Sequence, residues 1–374
     1  FENVGRQGEF KQPLMNDDFG FGGRRVLGFP TDCLGTTSLG PVLMEGTVDP
    51  ANYANIFVEG GFQNMGVPGA MVVHLLAPGY GNSAAGFDTL TGAPKYNPYF
   101  TRFAKNPATS SVITDAMEQQ ATFFSLWIGN NDVLGYATAG GDSTGTGITP
   151  SANFAGYYNI LVNTLISNGA KGVLATIPDV TAIPFFNTIP INGLPLTADE
   201  AAMLNGAYAQ MGLTMNFAES NTNFWAIQMP NGFVRQIKEN ELLLLTLPQD
   251  SLKCAKWGSV KPIPHRYVLD ENEIAKIQEA VTAYNDIIKE VADNNTLACA
   301  DMYEFLLSIK NTPLIINGAT FSATFVTGGV FSLDGVHLSP RGNALVANHF
   351  ITAINAKFNA SVPLVDVLSY PAIK

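Results

Sequence analysis

The chain has 374 residues, enough for one large α/β domain or for roughly two domains of ~150 residues. Hydrophobic residues make up 46% and charged residues 14%, which excludes a disordered or merely solvating chain. Acidic residues outnumber basic ones to give a net charge of −11, so the protein offers no cationic field for a phosphate backbone, and nucleic-acid binding is not expected.

Residues 1 to 60 are rich in Gly, Pro and Asp and carry little periodicity, which predicts an irregular, loop-dominated entry. Order begins after residue 110. Phe123-Phe124-Ser125-Leu126-Trp127-Ile128 is a short apolar run stopped by Gly129, as in a buried strand. Phe154, Tyr158, Leu161 and Leu165 fall at helical spacing with Gly169 behind them, and Gly172 to Pro178 reads as the next strand.

Between about 182 and 266 this rhythm lapses into Pro/Asn/Gly-rich stretches around one helix, opened by the capping-box pair Thr197 and Glu200. We read it as an insertion. Asp270 with Glu273 forms a second such box, ahead of Ile274, Ile277, Val281, Tyr284, Ile288 and Val291 at spacings of 3 and 4. A strand is expected from Thr296 to Met302, then an irregular stretch from about 304 to 330. Ser339-Pro340 has the form of an N-cap with proline at the first helical position. Ala344, Ala347, Ile351, Ile354 and Phe358 mark one face of the closing helix. Helices alternating with single apolar strands predict an α/β fold with a parallel sheet covered on both faces, one domain over 1–374 carrying the insertion.

Three cysteines, Cys33, Cys254 and Cys299, are too few and too scattered for a disulfide framework and show no metal-ligand spacing, so no metal is expected. The longest apolar run, Leu242 to Leu247, is far short of the ~18 residues of a membrane span. Phe1 begins neither a signal peptide nor a methionine start, so the sequence reads as a mature or shortened chain.

Three segments carry candidate chemistry. In Asp334-Gly335-Val336-His337, a carboxylate three residues before a histidine can orient the imidazole and stabilise its protonated form; the bland reading is a solvated turn. Gly129-Asn130-Asn131-Asp132 ends the first predicted strand, at the sheet edge where α/β proteins place ligand sites, and an Asn amide there can donate to an oxyanion; Asn, Asp and Gly are also ordinary turn formers. Asn64-Met65-Gly66-Val67-Pro68-Gly69-Ala70 supplies a glycine whose N–H can approach a substrate closely.

In this order the three segments resemble the second, third and fifth blocks of the SGNH (GDSL-like) hydrolase family, through Gly69, Asn131, and Asp334 with His337. Phe325 to Gly329 and Gly193 to Thr197 resemble a secreted or lipid-anchored branch typical of Bacteroidetes-type bacteria. The resemblance implies a flavodoxin-like three-layer α/β/α sandwich and an ester hydrolase without a cofactor. His337 would be general base, Asp334 its orienting partner, and Gly69 and Asn131 the oxyanion hole. The substrate would be a small-molecule, lipid or glycan ester.

The family's first block, a strand ending in Gly-Asp-Ser-Leu, is not found ahead of Gly69. Ser38 lacks the preceding strand, Ser83 comes after the oxyanion glycine, and Ser143 in Gly141-Asp142-Ser143-Thr144-Gly145 lacks the strand and helix of a nucleophile elbow. The nucleophile is therefore expected upstream of Phe1, with Phe1 to Val4 the tail of the first helix and a possible lipid anchor further upstream. The alternative is a non-catalytic, glycan-binding relative. His74 is expected as a partly buried structural histidine, His265 as a loop residue and His349 on the closing helix, packed or exposed there, and Phe185, Phe186, Phe224 and Trp225 either line an acyl or glycan pocket or form the insertion's own core.

Overall fold

A computed structural model of the chain describes residues 10–89, 93–142, 144–145 and 147–373. The expectations for Phe1 to Val4 and for Ser143 lie outside the described residues.

Three parallel strands form the centre: β1 (Phe123–Leu126), β2 (Lys171–Ala175) and β3 (Ala298–Ala300), in the order β3-β2-β1. Phe123 stands opposite Lys171, and Ala298 opposite Val173. A parallel neighbour is reached only through a crossover. Between β1 and β2 the chain runs through α1 (Asn131–Thr138) and α2 (Ser151–Ile166). Between β2 and β3 it runs through the inserted stretch, with α3 (Ala198–Gln210), and then through α4 (Glu271–Asn294). The helices α5 (Met302–Asn311) and α6 (Pro340–Phe358) follow β3.

Gly172 to Ala175 are buried although successive side chains point to opposite faces, so the sheet is covered on both sides. One layer is α2 packed on α4, where Phe154 stacks on Tyr284 with ring centres 4.1 Å apart. Asn285 of α4 reaches past the end of β2, accepting from Ile177 N at 2.6 Å and donating to Ile177 O at 2.8 Å, so a side-chain amide continues the pairing where the ladder stops. The other layer is α6, which lies over β3 and β2 and sets Phe358 against Phe123 and Phe350 against Trp127. This is the expected three-layer α/β/α arrangement.

Among the described residues, no strand pairs with the outer edge of β1. The Nε1 of Trp127, just beyond that strand, is buried without a hydrogen-bond partner. No helix of the described chain is long and apolar enough to cross a membrane.

The inserted stretch gathers its own apolar cluster, including Leu194, Leu204, Tyr208, Trp225, Ile227, Leu243 and Val268. Its strands Ala226–Gln228 and Val234–Gln236 pair antiparallel. Phe185 and Phe186 join the main core rather than the insertion's own, while Trp225 is buried in the inserted stretch's cluster and Phe224 packs against that cluster.

Two further expectations are corrected. The stretch from 304 is not irregular throughout: Asp301 accepts from Glu304 N and caps α5, whose Leu306 and Ile309 are buried, and a hairpin of Leu314–Ile316 with Ala319–Phe321 follows. Met302, Phe305, Leu306 and Ile309 fall at helical spacing over two turns, a signal the sequence carried. The cysteines are not all free, since Cys33 and Cys254 form a disulfide. It ties the irregular entry, with its hairpin of Arg25–Gly28 and Gly40–Leu43, to the inserted stretch, beside an ion pair of Lys253 with Asp32 at 2.7 Å.

Candidate active site

Asp334 and His337 lie in a tight turn held by Ser332 N donating to His337 O at 2.7 Å. Asp334 Oδ2 meets His337 Nδ1 at 2.7 Å. Its other oxygen accepts from Ser332 Oγ and from the backbone N–H groups of Val336 and His337, at 2.7, 2.8 and 2.9 Å. Burial opposes the Asp334 anion, but these hydrogen bonds outweigh it and hold the carboxyl well below the usual carboxylate range. The hydrogen bond that His337 donates to Asp334 in turn raises the His337 pKa against the opposing effect of burial. The imidazole side chain is 77% exposed and its Nε2 bonds to no described protein group. The following helix is fixed by Ser339, which accepts from Gly342 N at 2.9 Å.

Asn131 is the first residue of α1, directly beyond β1. The turn into it requires Gly129, at φ +116°, because a Cβ there would lie 2.6 Å from Ile177 Cδ1 and 2.8 Å from the Phe154 ring. The Asn131 amide donates to Ala70 O at 2.9 Å, which brings the Asn131 and Gly69 segments together. Since a primary amide has two N–H groups, one stays available. Gly69 is exposed at φ +75°, with no atom within 4 Å of where a Cβ would sit, and its N–H bonds to no described protein group.

A residue whose role the motif alone did not reveal locks this junction. Asp132 is fully buried, accepting from Val72 N at 2.8 Å through one oxygen and from Thr149 Oγ1 at 2.8 Å through the other. Burial raises its pKa, with these hydrogen bonds opposing. It anchors the segment three residues after Gly69 to the start of α1. Its place in Gly-Asn-Asn-Asp was visible in the sequence, but its partners were not.

The four predicted residues thus fall into two pairs, Asp334 with His337 and Gly69 with Asn131. Segment 180–187, which leaves the carboxyl end of β2, relates them: its start packs against α1, and Phe185 N donates to Gly335 O at 2.9 Å. Ser38 and Ser83 are exposed loop residues with no bond to His337. His74 accepts from Met71 N and stacks on Tyr80, and His349 stacks on Phe305, both structural placements.

An acid-oriented imidazole with a free outer nitrogen suits proton transfer, and unspent N–H groups at Gly69 and Asn131 suit a developing oxyanion. The family model described as GDSL-like Lipase/Acylhydrolase matches residues 57–350. No curated protein and no solved structure matches the chain.

Proposed function

This chain belongs to the GDSL-like lipase/acylhydrolase family and is a hydrolase of acyl esters, and from that premise we propose a Ser-His-Asp mechanism with a Gly/Asn oxyanion hole. His337 Nε2 removes the proton from a serine hydroxyl as its oxygen attacks the ester carbonyl carbon, and Asp334 stabilises the imidazolium that forms. The carbonyl oxygen takes up negative charge and accepts from Gly69 N–H and the free N–H of Asn131. Collapse breaks the ester C–O bond, with His337 returning the proton to the departing alcohol; water then repeats the sequence to free the acid.

The observation that carries this reading is the 2.7 Å Asp334–His337 contact, with the carboxylate saturated by three further donors and Nε2 left open. The serine belongs, in this reading, to a segment upstream of residue 1 that adds a strand to the outer edge of β1. That edge is unpaired among the described residues and lies beside the unpartnered Trp127 Nε1. The Cys33–Cys254 disulfide supports a secreted, periplasmic or cell-surface location, where such bonds persist.

The test is fluorophosphonate labelling of the complete gene product together with p-nitrophenyl acetate turnover. Labelling of a serine upstream of Phe1, with turnover abolished by His337→Ala and folding intact, is the expected result. Absence of both labelling and turnover, with oligosaccharide binding retained, would overturn it in favour of a glycan-binding relative.

A further inference from the structure

Away from His337, a second group of titratable side chains converges where the inserted stretch rejoins the fold. His265 lies in the short turn His265–Tyr267, and Asp270 and Glu273 sit at the start of α4. The capping box there uses one oxygen of each carboxylate: Asp270 Oδ1 accepts from Asn272 N and Glu273 N, and Glu273 Oε2 accepts from Asp270 N. The remaining oxygens both face His265 Nε2, at 3.9 Å from Asp270 Oδ2 and 3.5 Å from Glu273 Oε1. The three ligand atoms lie within 4.8 Å of one another.

This spacing is too wide for hydrogen bonds, which need ~2.7 to 3.2 Å between nitrogen and oxygen. It approaches the separation of about 3.4 Å between neighbouring ligands of a tetrahedral cation with bonds of ~2.1 Å. His265 Nε2 is buried with no hydrogen-bond partner. Glu273 is only 9% exposed and its Oε1 donates to and accepts from nothing else described. Arg235 is spent in a two-pronged bond to Glu241, and Lys276 of α4 acts on Glu273 through its charge without forming an ion pair with it.

The surrounding backbone closes over the group. A Cβ on Gly141 would lie 2.1 Å from Glu273 Oε1, and one on Gly140 would lie 2.6 Å from Arg266 O. Only a backbone without side chains there lets the turn after α1 reach this close.

We propose that His265, Asp270 and Glu273 bind a divalent transition-metal cation of the zinc class, which joins the end of the inserted stretch to the start of α4 beneath the turn that follows α1. One imidazole nitrogen and two carboxylate oxygens form a donor set suited to zinc or manganese, with water completing the coordination. The ion has a structural role and stands apart from the acyl chemistry.

The test is metal titration of the tag-free, chelator-stripped full chain with zinc chloride at pH 7.5. One equivalent should bind by calorimetry, and the Tm should rise by about 3 °C at a hundredfold excess over Kd. His265→Gln and Glu273→Gln, each retaining a folded circular dichroism spectrum, should weaken binding by tenfold or more. X-ray absorption of the unaltered zinc-loaded chain should show one nitrogen and carboxylate oxygens at ~2.0 to 2.2 Å, a readout that does not depend on the variants folding. The proposal is overturned if neither zinc nor manganese at millimolar concentration binds or shifts Tm. It is also overturned if both variants bind as tightly as the parent, or if the zinc shell contains no imidazole.

Discussion

Asn131 has two neighbours that matter: the Ala70 carbonyl, to which it donates, and the space its second N–H faces. Under the proposed mechanism, Asn131→Ala removes both an oxyanion donor and the bond to Ala70 O that holds the Gly69 segment. We expect kcat to fall ~100-fold or more with modest change in KM, since the donor acts on charge that develops only in the transition state. The loss of stability should stay near ~1 kcal/mol, the worth of one hydrogen bond. Steady-state kinetics on the complete gene product, with denaturant melts alongside, check both halves; a rise in KM with kcat unchanged would remove Asn131 from the oxyanion hole. Asp334 and His337 were legible in the sequence because three residues in one turn are enough to bring their side chains together. The part played by Asp132 was not legible, because its partners Val72 and Thr149 are 60 and 17 residues away and only the folded chain joins them.

The start of α4 shows how one element carries two kinds of information. Its capping box and its apolar stripe were both readable, and Ile277, Val281, Tyr284, Ile288 and Val291 are buried as their spacing implies. The face of α6 was less sharply drawn. Ala344 is buried, but Ile351, Ile354 and Phe358 are only half-buried, in the half of the helix that carries Phe350 and Phe358 toward Trp127 and Phe123 near the open edge of β1. His265, read as a loop residue, turned out to face Asp270 and Glu273 because the inserted stretch folds back onto the helix it precedes. A pH effect belongs at this element. Because the native Glu273 holds its proton up to about 7 against an ordinary 4.5, its contribution to stability is fully present below about 4.5 and is lost as pH rises through 7. His265 has its pKa lowered by burial, so it destabilises the fold in the opposite direction, as pH falls below its ordinary 6.5. Thermal melts of the metal-free chain should therefore show Tm falling as pH rises from about 5 to 7 and levelling above 7, less steeply below 6.5 where His265 opposes the fall, and Glu273→Gln should flatten it. An unchanged slope in the variant would assign the titration to another group.

At the scale of the whole molecule, the α/β architecture could be read from alternating strand and helix patterns, because each pattern is local. The covalent tie between Cys33 and Cys254 could not, since 221 residues separate them and nothing near either cysteine announces the other. By chain entropy alone such a closure stabilises by up to ~5 kcal/mol, though local contacts reduce what is felt. Reduction should loosen the irregular entry first, since its link to the inserted stretch rests on this bond, the Lys253–Asp32 pair and a weak contact of Cys33 with Asp250. Limited trypsin digestion with and without dithiothreitol is the check: cleavage at Arg24 and Arg25 should speed up severalfold on reduction while α4 resists. Equal rates in both conditions would show that the entry is held by something else.

The same sulfur–sulfur bond makes residues 33 to 254 a closed ring of main chain, with Gly69 and Asn131 inside it and Asp334 and His337 on the open tail. A protease that nicks the ring once, for example in the glycine-rich stretch near 142, leaves two pieces that cannot drift apart until a thiol arrives. Gly69 and Asn131 therefore remain attached to Asp334 and His337, and damage at one exposed turn does not dismantle the protein in an oxidising setting.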